Sequence, residues 1–288
     1  MRSLTDIREV RDLLERHGFR FSKALGQNFL INPSVCPRMA TACGADKDCG
    51  VLEIGPGIGV LTHELAKVAG KVVSIELDER LFPVLSETLS EHDNVTLIHG
   101  DVMKLDVAAV LTEHFTRPDG SLMPICVCAN LPYYITSPIL MMLLESHLPI
   151  QSITVLVQKE AATRLCAKPG TRECGAVTMA VQYYAEAETL FSVSRGSFMP
   201  APNVDSTVMR LTLRPTPPVE VAHPDGMFKL IRAAFGQRRK TMANSLMASG
   251  MTKTEVIAAM DKASLSPTLR AEQCTLDDFA RLSDVVFP

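Results

Sequence analysis

Glycine occupies every second position of Gly55-Pro56-Gly57-Ile58-Gly59, directly after the run Val51-Leu52-Glu53-Ile54. Few backbones accommodate such a pattern. Glycine is needed where the chain must bend sharply and where a ligand must approach without a Cβ in the way. Helical spacing resumes at once with Val60, Leu61, Leu65 and Val68. The stretch therefore predicts a buried strand, a tight turn and a helix. The helix start behind the turn offers free N–H groups and the positive end of a dipole. The bland alternative is a plain strand-to-helix turn.

Dinucleotide sites use a similar turn, so spacing must decide. Their fingerprint asks for a third glycine or alanine five residues after the first. Here Val60 holds that place, and the third glycine comes one residue early, at Gly59. Glu53, two residues before Gly55, is also unusual for a dinucleotide site. An acidic residue followed by Gly-x-Gly-x-Gly resembles the cofactor loop of Rossmann-like methyltransferases that use S-adenosylmethionine. Two further acids fit a nucleoside ligand. Val72 to Ile75 reads as a second strand ended by Glu76, about 20 residues past the turn, where a carboxylate can accept both ribose hydroxyls. Val95 to Ile98 reads as a third strand followed by His99-Gly100-Asp101, and Asp101 can accept from an adenine amino group. Either acid alone is a common solvated strand end. Both together, at successive strand ends of an α/β sheet, mark the ligand side of such a fold.

The chain has 288 residues, enough for one or two domains, and 47 % of them are apolar. No apolar run reaches the length of a membrane span. The first residues lack the apolar core of a secretory signal, and Asp6, Glu9, Asp12 and Glu15 argue against a transit peptide, so a cytoplasmic protein is expected. No pair of the eight cysteines has zinc-ligand spacing, and Cys126 and Cys128 sit in an apolar run; reduced, buried thiols and no metal are expected. The net charge of −3 means that any nucleic-acid surface must be a local patch.

Along the chain, Thr5 is a candidate cap for a first helix carrying Ile7, Val10, Leu13 and Leu14 on one face and ending at Gly18. Phe21 to Leu30 is too polar and glycine-punctuated for a regular strand; it is either a linker or a segment folding over the cofactor mouth. Asn32-Pro33 reads as cap and first residue of the next helix. Asp78 to Leu89 reads as a helix despite Pro83, and Val107 to Phe115 as another. Pro124 to Ala129 is an apolar run suited to a buried parallel strand. It delivers Asn130-Leu131-Pro132-Tyr133-Tyr134.

That turn carries the chemistry. Strand-end Asn-x-Pro-Tyr resembles the catalytic motif of methyltransferases acting on planar amino nitrogens. An exocyclic adenine amine is a poor nucleophile, because its lone pair is delocalised into the ring. The Asn130 side-chain oxygen and the Leu131 carbonyl can hold its hydrogens and favour a pyramidal nitrogen. Pro132 stiffens the turn, and Tyr133 offers a face for a base to stack on. Positioning and oriented dipoles supply the rate, with no metal or strong base. The bland reading is an asparagine capping a strand-end turn.

Ser137-Pro138 opens a helix through Leu144, Ile153 to Val157 is a fifth strand running into Gln158-Lys159-Glu160, and Ala176 to Tyr184 is a helix. Thr189 to Val193 and Thr207 to Leu213 read as a closing antiparallel pair. Between them Phe198 lies in a proline-stiffened loop, either as a second stacking surface for a flipped base or as a hydrophobic plug. The proline-rich stretch Arg214 to Pro218 divides the chain into a domain over residues 1–214 and a small helical domain over 215–288. In the latter, Thr252 to Glu255 is a capping box, and Ser266-Pro267 and Thr275 mark helix starts. Arg238, Arg239 and Lys240 form the densest basic run and are candidate phosphate contacts, although such a run is often a solvated helix end.

Taken together, Gly26 to Leu30, Glu53 to Gly59, Glu76, Gly100-Asp101, Asn130 to Tyr133, Phe198 to Pro202 with Val204 to Ser206, and Phe235 to Thr241 resemble the ribosomal RNA adenine dimethyltransferase family, in order and over nearly the whole chain. The resemblance extends to the bacterial small-subunit branch linked to kasugamycin resistance, especially in the basic helical segment. It implies an α/β fold: a Rossmann-like domain with a mostly parallel sheet and one antiparallel strand, then a small all-α domain. It implies transfer of methyl groups from S-adenosylmethionine to two adjacent adenosines near the 3′ end of 16S ribosomal RNA, and a checkpoint role in small-subunit assembly. A monomer acting on the small ribosomal subunit is expected. The family's cofactor residues map onto Asn28, Leu30, Gly55, Glu76, Asp101 and Asn130, with Gly57 in the same turn. Asn130, Leu131 and Tyr133 map as the catalytic turn and Phe198 as a second base contact. The alternatives are a large-subunit adenine methyltransferase of the macrolide-resistance type and a non-catalytic assembly factor.

Overall fold

The computed structural model describes residues 4–22, 25–237 and 239–288. Helix α1 (Ile7–Arg16) is capped by Asp6, not Thr5: Asp6 Oδ1 accepts from the Arg8 backbone N–H at 2.7 Å. Both residues are good caps, and the one whose carboxylate reaches the orphan N–H groups wins. Val10, Leu13 and Leu14 are buried, while Ile7 stays exposed. The segment after it, part of which (Lys23 and Ala24) lies outside the described residues, ends in a two-residue strand, β1 (Phe29–Leu30). Asn32 does not cap α2 (Val35–Cys43); its Oδ1 accepts from the Ser34 N–H at 3.0 Å, forming a turn one step earlier.

There follow β2 (Gly50–Ile54), α3 (Val60–Val68), β3 (Lys71–Glu76) and α4 (Phe82–Thr88). The expected helix from Asp78 is split. A 3₁₀ turn over Glu79–Leu81 precedes α4, so Pro83 sits in a first turn, where its missing N–H costs nothing. Next come β4 (Val95–His99), α5 (Val107–Phe115), β5 (Ile125–Asn130), α6 (Thr136–Glu145) and β6 (Ile150–Gln158). A short helix that the sequence pattern had not revealed, α7 (Lys159–Leu165), leaves β6 directly. It is followed by α8 (Ala176–Tyr184), β7 (Ala185–Val193), β8 (Phe198–Met199), β9 (Ser206–Leu213), α9 (Pro224–Ala234), α10 (Met242–Ala248), α11 (Lys253–Lys262) and α12 (Leu276–Val286). Capping boxes start α11 at Thr252 and α12 at Thr275. Ser266-Pro267 starts no helix: Ser266 Oγ accepts from the Thr268 N–H, closing a turn instead.

The chain gathers into two compact units, Met1–Ala162 with Glu188–Leu213, and Thr163–Ala187 with Arg214–Pro288. Residues 163–187 thus group with the segment after Arg214, because α8 packs there: the Tyr184 ring stacks on Phe228 of α9 at 5.7 Å and 8°.

A seven-stranded sheet runs in the order β4-β3-β2-β5-β6-β9-β7. The pairs β4–β3, β3–β2, β2–β5 and β5–β6 are parallel, and β9 runs antiparallel to β6. All five residues of β2 and the first five of β5 are buried, which is why these strands read as near-continuous apolar runs. From β2 the chain builds outward through β3 and β4, then returns to lay β5 on the other side of β2. The order reverses between β2 and β5, so a crevice opens at their carboxyl ends. A separate two-stranded ladder joins β1 to β8, with Leu30 opposite Phe198. Among the described residues no helix is long and apolar enough to cross a membrane.

Candidate active site

The turn after β2 reaches that crevice. Gly55, Gly57 and Gly59 have φ of 72°, 60° and 87°, a region that side chains disfavour. Gly57 is constrained twice, because a Cβ there would come within 3.1 Å of the Phe29 ring. The turn thus lets the β1 segment lie close against it.

Glu76, the last residue of β3, turns its carboxylate back toward this turn. It accepts from the Gly57 N–H at 3.2 Å and from the Asp78 N–H at 2.9 Å. Burial pushes its carboxyl above the ordinary range, and those two N–H groups pull the other way. Asp101, beyond β4, is less enclosed: Oδ1 accepts from the Met103 N–H at 3.0 Å and Oδ2 lies 3.3 Å from Lys104 Nζ. Both acids line one cavity with Gly55, Gly57 and Asn130.

In the sequence, Glu53 stands out only as the acid before the glycine motif. The structure makes it more than that. It is 1 % exposed, and its Oε2 accepts from Thr62 Oγ1 at 2.6 Å and Ser74 Oγ at 2.7 Å. Its Oε1 is buried with no partner among the described residues. Burial pushes its carboxyl up to about 7, against the two hydroxyl bonds, with the Glu76 charge adding to the rise.

The turn at the end of β5 forms the opposite wall. Asn130 Nδ2 donates to the Asn28 carbonyl oxygen at 3.2 Å. Leu131 is 1 % exposed, and Pro132 sits at φ −58° and ψ 131° before a 3₁₀ turn. The Tyr133 hydroxyl pairs with Ser206 Oγ at 2.7 Å, which fixes the ring. Burial raises the phenol pKa, opposed by the Ser206 bond. Nothing local to the motif pointed to Ser206; it arrives because β9 pairs with β6 and begins beside the turn.

Residues 25–30 close the cavity. Asn28 Nδ2 donates to the Gly26 carbonyl at 2.9 Å, and Leu25, Gly26, Asn28 and Leu30 are all among the lining residues. Phe198 is not. It is 3 % exposed, belongs to the hydrophobic core and is held in the ladder opposite Leu30. Of its two readings, a stacking surface for a base and a hydrophobic plug, this placement favours the plug.

In the second unit, Arg239 and Lys240 are exposed, and among the described residues neither has an ion-pair partner; Arg238 lies outside the described residues. They come just before α10, whose cap is Thr241. They add nothing to α10, whose dipole is positive at that end, but they also follow the 3₁₀ turn Phe235–Gln237 that ends α9, where cations are favourable. Among the described residues no cluster of three or more His, Cys, Asp or Glu residues suits a metal ion, and all eight cysteines are free.

The sequence profile described as ribosomal RNA adenine dimethylase matches residues 18–286. The chain belongs to the ribosomal RNA adenine dimethylase family. It is 48 % identical over 283 residues to the ribosomal RNA small subunit methyltransferase A of Geobacillus thermodenitrificans, covering 97 % of this chain and 95 % of that one. The counterpart from Bacillus mycoides is 44 % identical over 290 residues, covering 99 % and 98 %. The crystal structure of the 23S rRNA methyltransferase ErmE superposes with a TM-score of 0.67 at 30 % identity, over 91 % of this chain and 100 % of that one. A dimethyladenosine transferase from Plasmodium falciparum superposes with a TM-score of 0.72 at 24 % identity, over 88 % and 95 %, which speaks to the fold.

Membership makes this chain an enzyme, a methyltransferase of ribosomal RNA adenines with S-adenosylmethionine as donor. The cavity suits such a donor. A glycine turn leaves room for backbone contact, and a buried carboxylate at a strand end offers acceptors.

Proposed function

We propose that this protein transfers methyl groups from S-adenosylmethionine to the N6 amines of two adjacent adenosines near the 3′ end of 16S ribosomal RNA, giving N6,N6-dimethyladenosines late in small-subunit assembly. The observation that carries this reading is the Asn130 amide. Its nitrogen is committed to the Asn28 carbonyl, so Oδ1 is left as the acceptor at the strand end. Bound S-adenosylmethionine supplies an electrophilic sulfonium methyl. The chain supplies orientation. Asn130 Oδ1 and the Leu131 carbonyl accept the amine hydrogens, two before the first transfer and one before the second, which draws the lone pair out of ring conjugation; each transfer then releases one of those protons to solvent. Tyr133, anchored by Ser206, presents a fixed ring for the base to stack on. Asn28, Leu30, Gly55, Gly57, Glu76 and Asp101 hold the donor, with Glu76 on the ribose and Asp101 on the adenine amine. Arg238, Arg239 and Lys240 contact phosphates, within a helical RNA-binding domain over residues 215–288.

The large-subunit reading is supported less well. Identity is 48 % to a small-subunit relative and 30 % to the 23S enzyme. A non-catalytic assembly factor would have no need of the committed Asn130 amide. The protein works in the cytoplasm as a monomer without metal, which sedimentation of the free protein and activity in chelator test directly. The main experiment is methyl transfer from labelled donor to unmethylated small subunits, large subunits and DNA side by side. Label confined to the small subunit, recovered as dimethyladenosine, is the expected result; label in the large subunit would shift the reading to the alternative.

A further inference from the structure

Gln27 links the two walls of the cavity. Its Nε2 donates to Asp78 Oδ2 at 2.7 Å, and its Oε1 accepts from the Ser22 N–H at 2.8 Å. Asp78 is in turn crowded with donors. Oδ1 takes the Arg80 N–H at 3.2 Å and Nε at 2.8 Å, and Oδ2 takes Arg80 Nη2 at 2.6 Å besides Gln27. The Asp78 side chain is 5 % exposed. The Arg80 guanidinium first, with Gln27 adding, holds its carboxyl below the usual range despite burial. The Asp78 backbone N–H meanwhile donates to Glu76 Oε1 at 2.9 Å.

One residue after Gln27, the Asn28 carbonyl receives the Asn130 amide. One residue before it, Gly26 lies so near the Tyr134 ring that a Cβ would stand 3.3 Å from it. Residues 26–28 are therefore pinned on one side to the end of β3 and on the other to the catalytic turn. A hydrogen-bonded path runs from Glu76 through Asp78 and Gln27 into the backbone that orients Asn130.

We propose that Gln27 and Asp78 are positioning residues for methyl transfer: they hold residues 26–28 so that the Asn28 carbonyl keeps the Asn130 amide turned with its oxygen toward the reacting amine. This deepens the proposed function and rests on its roles for Glu76 and Asn130. A primary amide freed from Asn28 can rotate and present N–H groups to a substrate amine that needs acceptors. The chemistry of the latch is specific. Four donors converge on two carboxylate oxygens, and an amide at position 78 has one acceptor oxygen for the same four.

The test uses the full chain with unmethylated small subunits, reading the single-turnover rate at saturating S-adenosylmethionine, donor affinity by calorimetry, and thermal melting. Gln27→Leu and Asp78→Asn should each lower the saturated rate about 10–100-fold, the scale for a misplaced catalytic group, with a much smaller change in donor affinity. Gln27→Glu keeps the side-chain length but sets a second carboxylate against Asp78, and should lower the saturated rate as Gln27→Leu does. A role confined to stability predicts lower melting with an intact saturated rate; that result, or a normal saturated rate for Gln27→Glu, overturns the proposal. Asn130→Ala in the same assay separates the two failures. A normal rate for Gln27→Leu beside an inactive Asn130→Ala overturns the latch alone, whereas an active Asn130→Ala overturns the site reading with it.

Discussion

Asn130 Nδ2 donates to the Asn28 carbonyl oxygen at 3.2 Å, joining residues 102 positions apart at the mouth of the crevice. Because an amide has one oxygen and one nitrogen, fixing the nitrogen decides what the other end can do. The oxygen is held as an acceptor before any substrate arrives, which is preorganisation of the kind that lowers barriers. Asn130→Ala should therefore reduce the single-turnover methylation rate about 10²–10³-fold, the cost of losing one preorganised hydrogen-bonding group, while binding of small subunits changes little. A correctly folded variant that methylates near the wild-type rate would remove Asn130 from the chemistry.

Glu76 meets the glycine turn through the Gly57 N–H and its own strand-end loop through the Asp78 N–H. Its removal deletes an acceptor for the donor's ribose and loosens the turn that faces it. Glu76→Ala should weaken S-adenosylmethionine binding by about 1–3 kcal/mol, the range for a lost hydrogen bond to a charged group. Calorimetry on the free protein reads this without RNA; an unaltered dissociation constant would take Glu76 out of the donor site.

The parts of this site that were legible in the sequence are those set by local pattern. Glu76 and Asn130 end strands because buried parallel strands are apolar runs, and a polar residue marks where each run stops. The glycine turn was legible because positive φ demands glycine. What was not legible depends on distant packing. Gln27 meets Asp78 across 51 positions and Tyr133 meets Ser206 across 73, and no periodicity predicts either. Glu53 stands in an apolar strand, and only the β2–β3 register, which sets it opposite Ser74, reveals why a carboxyl can sit there. Local chemistry also pointed one residue off for the α1 cap, to Thr5, where the neighbouring Asp6 reaches the free N–H groups.

Glu53 makes stability depend on pH. Its carboxyl is pushed up to about 7 from 4.5, chiefly by burial. In the folded protein it keeps its proton in a range where the unfolded chain has lost it, so the folded state binds more protons. Its contribution to stability is full below the unfolded value and is lost as pH rises through the folded one. Over that window the loss is roughly 2–4 kcal/mol. Glu53→Gln cannot ionise, so its melting temperature should gain on the wild type between about pH 4.5 and pH 7 and then run parallel to it. A difference in melting that stays constant across that range would mean that Glu53 titrates as an ordinary carboxylate.

Phe198 is 3 % exposed and sits opposite Leu30 in the β1–β8 ladder. A buried phenylalanine cut to alanine typically costs about 3–5 kcal/mol. Phe198→Ala should melt markedly earlier yet methylate at the normal saturated rate at temperatures where it stays folded. A stacking partner would behave differently, losing about 1–3 kcal/mol of base capture with the fold intact. Melting curves and saturated rates on the same preparation distinguish the two.

The last expectation concerns Arg239 and Lys240, taken with their neighbour Arg238. The chain carries a net charge of −3, while its substrate is a polyanion. Attraction must come from a patch, and the exposed Arg239 and Lys240 precede α10, where they do not complement its dipole. If each meets one phosphate, replacing all three with alanine should flatten the dependence of log affinity on log salt by roughly 2–3 units, at about 0.7–0.9 per contact. Donor affinity should not change, because the glycine turn and the acids that line the cavity belong to the other compact unit. A solvated helix end predicts the opposite pattern, an unaltered slope with slightly changed melting. Small-subunit binding across a salt series, with melting of the triple variant alongside, decides between them: a slope equal to the wild type's would move the RNA contacts elsewhere on the protein.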